Sequence, residues 1–295
     1  MIKDFIELCK MSQKDLKEYV ATELRKTHRY VESKDGFVFA KGDFPVLLVA
    51  HLDTVHKELP SKFMYDTQAL TISSPNGIGG DDRCGVYMTL EVIKQYNCSV
   101  LFCEDEEIGT VGAEKFVNSK LSNVLEFNYI IEFDRMGSKD AVFYDCDNPE
   151  FEEFITKEFF KTAYGSFTDI SVIAPALGCA AVNLSCGYYK AHTTDEYVSY
   201  PEMLVSIDQA CKILERTTEE DKFEYMESAD RFSLRYSDDF YGCEQYFLIQ
   251  YVDKHGNEDW FEAEALSVEE AVGMFCMKYP DLSFNNIVDL QQDFM

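Results

Sequence analysis

Four apolar runs in this chain end in groups that can bind a cation or move a proton. VLLVA ends in His51, with Asp53 two residues on. SVLF runs into Cys103 and the acidic stretch Glu104 to Glu107. NYIIEF ends in Asp134, and AAVNL leads through Ser185 and Gly187 towards His192. Short, near-continuous apolar runs are what strands buried on both faces look like, so they predict a sheet covered by helices. In open α/β sheets ligands gather outside the carboxyl ends of the strands. These strand ends are therefore expected to meet at one crevice, joined by Asp81-Asp82, which follow the glycine-rich turn NGIGG and open the helix DRCGVYMTLEVIKQY.

Taken alone, the acidic stretch fits a simpler role, because acids in the first turn of a helix over 110–119 complement its dipole by about 0.3–1 kcal/mol each. Recurrence of the pattern at the other strand ends favours a cation instead. Two histidines with several carboxylates suit a divalent metal, and zinc accepts both nitrogen and oxygen ligands.

The remaining composition excludes other classes. At 295 residues the chain can bury one large domain, or a main domain with a small partner. No apolar run reaches the 18 or so residues of a membrane span, and MIKDFIELCKMSQKD lacks the apolar core of a signal peptide, so the chain reads as cytoplasmic. Ten cysteines are scattered singly, without metal-knuckle spacing, and read as reduced core residues. A net charge of -27 argues against nucleic acid, whose phosphates require a basic footprint.

Read in order, residues 2–10 and QKDLKEYVATELRK form two lead-in helices, the second capped by Ser12. YVESKDGFVFAKG is a hairpin turning at Asp35-Gly36. Strands over LFCE, NYIIEF, AVFYDC and AAVNLS then alternate with helices after Gly109, near 150–162, around 168–176 and over MLVSIDQACKILE. That alternation predicts a three-layer α/β/α sandwich with a central mixed, mostly parallel sheet. Residues 218–295 hold 19 acidic and 5 basic side chains, which marks a boundary. The expected division is a catalytic domain over 1–217 and a small acidic α+β module over 218–295. That module would be a β-β-α-β unit with a turn at His255-Gly256-Asn257 and a helix over SVEEAVGMFCMKY. It has no clustered ligands, so a packing or oligomerisation role is expected of it; the oligomeric state stays open.

LLVAHLDTV, GIGGDDRCGV, EDEEIGTVGA, the Asp after IIEF and TDISVIAPALGCAAVNLSCGYYKAHTTDEYV together resemble the co-catalytic zinc exopeptidases, in particular the peptidase T and glutamyl aminopeptidase branches. The likeness spans roughly residues 45–200. It implies His51 and Asp134 as terminal ligands of one zinc ion, Glu107 and His192 as those of a second, and Asp81 as the bridge. Co²⁺ or Mn²⁺ are possible substitutes. The resemblance also makes Glu106 the general base, implies a cis bond between Asp81 and Asp82, and suits Asp53 to orienting His51. No cysteine is assigned as a nucleophile. One departure stands out: Asp134 and His192 lie 58 residues apart and His51 and Asp81 30 apart, too close for the inserted lid domain of either branch.

The resemblance thus implies a dinuclear zinc aminopeptidase or dipeptidase acting on short peptides. Two alternatives accompany it: a metal-dependent amidohydrolase removing the acyl group of an N-acyl amino acid, and a non-catalytic metal-binding scaffold whose C-terminal module recruits a partner.

Overall fold

The computed structural model describes residues 2–227 except 158 and 166, and, beyond 244, residues 245–254, 256–265, 275, 278, 279, 282 and 286–293. Its elements are α1 (Ile2–Cys9), α2 (Gln13–Thr27), β1 (Tyr30–Lys34), β2 (Phe37–Lys41), β3 (Phe44–His51), β4 (Met64–Asp66), β5 (Thr71–Ser73), α3 (Gly80–Val92), β6 (Cys98–Cys103), α4 (Val111–Val117) and β7 (Tyr129–Arg135). They continue as β8 (Asp140–Val142), α5 (Pro149–Thr156), β9 (Lys161–Ala163), α6 (Asp169–Leu177), β10 (Ala181–Ser185), β11 (Tyr188–Tyr189), β12 (Tyr197–Ser199), α7 (Tyr200–Arg216), β13 (Gln245–Val252), β14 (Glu258–Ala265) and β15 (Ile287–Asp293).

An eight-stranded sheet in the order β1-β2-β6-β3-β7-β10-β8-β9 forms the middle layer. Its centre, β6-β3-β7-β10, is parallel, while β1, β2 and β8 attach antiparallel. Side chains alternate across it as strand geometry requires. Val46, Leu48 and Ala50 enter one core with residues of α1, α2, α3, α5 and α7, whereas Leu47 and Val49 enter a second core with α4 and α6. Both faces are buried, which is why the strands read as continuous apolar runs rather than alternating ones.

Local chemistry sets the boundaries. Ser12 caps α2 by accepting from Asp15 N–H, and Gly36 turns the β1–β2 hairpin at φ 92°. Two readings of the sequence need correction. The helix expected to 162 stops at Thr156 and the chain returns as the edge strand β9, paired parallel with β8. The strand read over AVFYDC is only the three residues of β8. A small antiparallel sheet, β11-β12-β5-β4, was not anticipated. Its strands are two or three residues long, too short for a period to show.

Contacts divide the chain into Met1–Asp230 and Arg231–Met295. The compositional boundary at 217 falls short of this division because the next residues bond to the first unit. Phe223 N–H donates to Asn128 O at 2.9 Å, Ala180 N–H to Phe223 O at 2.9 Å and Tyr225 N–H to Gly178 O at 3.1 Å. In the second unit β13 pairs antiparallel with both β14 and β15. Most of the helix expected over 267–279, and His255 of the expected turn, lie outside the described residues.

Candidate metal centre

The carboxyl ends of β3, β6, β7 and β10, which are neighbours in the sheet, carry the groups singled out in the sequence. His51 is the last residue of β3 and is buried. Its Nδ1 lies 3.1 Å from Asp53 Oδ1. Asp53 also accepts Glu106 N–H on Oδ1 and Glu107 N–H on Oδ2, each at 3.0 Å. One carboxylate therefore orients the histidine and pins the acidic turn beside it.

Because Asp53 is an acceptor, Nδ1 must donate, and a neutral His51 is left with a bare lone pair on Nε2. That nitrogen faces Asp81 Oδ1 at 3.0 Å and Asp134 Oδ1 at 3.5 Å. The second oxygen of Asp81 stands 3.2 Å from His192 Nε2, which is 3.1 Å from Glu107 Oε2. Glu107 Oε1 is buried without a hydrogen-bond partner. Two groups of metal-ligating atoms result, His51–Asp81–Asp134 and Asp81–Glu107–His192, each with its atoms within 4.8 Å of one another. Asp81 is common to both, one oxygen towards each.

This donor set fits a pair of divalent cations. All five side chains offer lone pairs towards shared points, and three carboxylates offset much of the charge of two dications. The electrostatics of the protein groups reflect the same excess of acceptors. Burial opposes protonation of His51, but Asp134, Asp53 and Asp81 outweigh it and raise its pKa well above the usual value. Hydrogen bonds to Asp81 and Glu107 push His192 up to about 10. Burial, with the Asp81 charge, raises Asp134 to about 6. Glu106 lines the cleft, and burial, reinforced by Asp134, Asp169 and Glu107, pushes it to about 9.

The four acids of the stretch divide their work. Glu104 pairs with Lys17 and accepts Gly36 N–H, and Asp105 accepts from Gln13, so these two fasten the turn to α2 and the hairpin. Glu106 and Glu107 turn into the cleft. The Asp81–Asp82 peptide is cis, as the resemblance implied. Asp82 points inward, accepting His51 N–H at 3.1 Å and Gly85 N–H at 2.7 Å.

Several contributors escaped the sequence reading. Glu196, fully buried, accepts Gly79 N–H at 2.7 Å and Asp81 N–H at 3.0 Å and lies 2.9 Å from His56 Nε2, so it holds the turn that presents Asp81. Thr168 donates to Asp134 Oδ2 at 2.9 Å. Arg83 donates to the carbonyls of Leu52 and Asp53. Asp169, raised to about 7 mainly by burial, an effect partly offset by the Cys103 thiol, has neither oxygen hydrogen-bonded at good geometry. Both acids lie in the stretches TDISV and TDEYV, but nothing local in a sequence distinguishes a buried acid from a solvated one.

A cleft at strand ends lined by carboxylates and histidines, with a buried acid beside it, has the donor set that metal-dependent hydrolysis requires. Residues 38–174, slightly under half the chain, match the family model described as Peptidase family M28. The matched segment carries His51, Asp81, Glu106, Glu107 and Asp134, and His192 lies beyond it. No curated protein matches the chain in sequence. Among solved structures, the aminopeptidase PepT from Bacillus cereus is similar at 14% identity and a TM-score of 0.60, over 72% of this chain and 97% of that one. An aminopeptidase from the archaeon Desulfurococcus kamchatkensis is similar at 15% identity and a TM-score of 0.56, over 78% and 99%. A glutaminyl cyclase from Tannerella forsythia shares the fold at 14% and 0.54, over 73% and 97%. At such identities these likenesses establish the α/β fold. The family match over residues 38–174 supports zinc-dependent hydrolysis of peptide bonds.

Proposed function

We propose that the protein is a dinuclear aminopeptidase or dipeptidase of short peptides. The observation that carries this reading is the position of Asp81, whose two oxygens are shared between two separate ligand groups, each completed by a histidine and a second carboxylate. His51 and Asp134 would hold one zinc ion, Glu107 and His192 the other, and Asp81 both; Co²⁺ or Mn²⁺ suit the same nitrogen and oxygen donors. When bound, such a pair polarises the scissile carbonyl and acidifies the attacking water.

The chain's own residues supply the rest. Glu106, which lines the cleft beside Glu107, accepts the proton of the attacking water and returns it to the leaving amine. Asp53 fixes the His51 tautomer and holds the Glu106 and Glu107 amides, so base and ligand keep their spacing. Thr168 and Tyr188 orient the Asp134 carboxylate. Eight cysteines among the described residues are buried and free, in keeping with a reducing, cytoplasmic compartment.

The test is hydrolysis by zinc-loaded protein of a panel of free-amine dipeptides, tripeptides and N-acyl amino acids. Release of N-terminal residues from free-amine peptides is expected. Activity confined to N-acyl amino acids would make the protein a deacylase.

A further inference from the structure

Hydrolysis alone does not account for the outer half of the cleft. The cavity is about 250 Å³, and beyond the carboxylates and His192 it is walled mainly by Arg135, Met136, Tyr144 and Phe167. Arg135 is the one arginine or lysine on its wall among the described residues.

Its presence there depends on an irregularity. β10 and β7 pair in step until Leu184 opposes Phe133, but the next residue, Ser185, opposes Arg135, leaving Asp134 as an extra residue. In a regular strand consecutive side chains face opposite sides. A bulge re-aims one of them. Here both Asp134 and Arg135 line the same cleft.

The guanidinium is only partly engaged. Nε and Nη2 both donate to one oxygen of Asp140, each at 3.2 Å, the long end of the hydrogen-bond range. Of the five N–H groups of arginine, those on Nη1 have no acceptor among the described residues. The side chain remains 27% exposed.

Resting on the peptidase reading, we propose that Arg135 recognises a carboxylate on the residue just beyond the scissile bond. That carboxylate is either the C-terminus of a dipeptide or an acidic side chain at that position. The arginine is decisive because no other lysine or arginine among the described residues lines the cleft. Reach fits the C-terminus: three bonds separate the scissile carbonyl carbon from a dipeptide's terminal carboxyl carbon, a span on the order of 4 Å. Asp134 and Arg135, adjacent in the chain, line the same cleft, so both ends of such a substrate can be met there. Arginine presents a planar fork matched to carboxylate geometry. Met136 and Phe167, 43% and 57% exposed, offer apolar surface to the same residue's side chain.

The test compares Ala-Leu, Ala-Leu-amide and Ala-Glu-amide in the zinc-loaded full-length protein. Wild type should favour a carboxylate-bearing substrate over Ala-Leu-amide by about tenfold or more in kcat/KM, as expected for a hydrogen bond to a charged group. Preference for Ala-Leu identifies the C-terminus, and preference for Ala-Glu-amide the side chain. Arg135→Met should abolish the discrimination, and Arg135→Lys should keep part of it. Equal use of all three by wild type, or retained preference in a folded Arg135→Met, overturns the proposal. Calorimetric titration of the same three peptides into zinc-loaded Glu106→Gln gives the matching binding ratio without turnover. Discrimination in binding with no hydrolysis by wild type would sink the peptidase reading and leave the carboxylate site standing; binding without discrimination would sink the carboxylate site alone.

Discussion

Glu106 and Glu107 are adjacent in sequence and differ in task, so substitution should separate them. Glu106→Gln keeps the size of the side chain but removes the proton acceptor. Metal content should stay unchanged while turnover falls by roughly 10²- to 10⁴-fold. Glu107→Gln should weaken one ligand group, and its activity should recover partly in excess zinc. If both were merely acids complementing a helix dipole, each would cost a fraction of a kcal/mol in stability and nothing in rate. Assays of bound metal and of kcat on both variants decide between these. The five proposed ligands were legible because each closes or follows a recognisable run: VLLVA, GIGG, SVLF, IIEF and AAVNL. Glu196 and Thr168 were not, since their meaning comes from the Gly79 and Asp81 amides and the Asp134 carboxylate, which reach them only through folding. Arg135 was hidden for a related reason, as a bulge leaves no mark in a single strand's sequence.

At the scale of elements, the turn from Gly79 to Asp82 is the most exacting part of the site. Gly79 is left-handed at φ 69°, and a Cβ on Gly85 would stand 1.8 Å from Phe133 O, so α3 can approach β7 only through glycine. Gly85→Ala should therefore give little folded protein, read as loss of a cooperative melting transition. Glu196 joins this turn to the segment after His192, accepting two of its amides. Glu196→Gln can satisfy only part of that demand, and a 10- to 100-fold loss of metal affinity is expected, the usual cost of disturbing a group that orients ligands. Unchanged affinity in a competition titration with a chromogenic chelator would show that the turn holds itself. The major strands were legible as continuous apolar runs and the major helices by their 3.6-residue apolar period. The β11-β12-β5-β4 sheet and the edge strand β9 were not, because pairing with distant partners, rather than local pattern, forms segments of two or three residues.

For the whole molecule, every proposed ligand and the cleft itself lie within Met1–Asp230. A chain ending at residue 230 should fold and bind metal as the full chain does, because it keeps the segment from 221 to 227 that hydrogen-bonds to Asn128, Gly178 and Ala180. Soluble, folded but metal-free protein from that truncation would mean that a ligand comes from the second unit. Metal removal should lower the melting temperature of the full chain, since ions that bind the folded state alone stabilise it by mass action. The central claim is the paired centre, and counting ions tests it most directly. Metal analysis of zinc-replete wild-type protein by mass spectrometry should return two ions per chain, and Asp81→Ala should return none held tightly. A single tightly bound ion in the wild type would contradict the account.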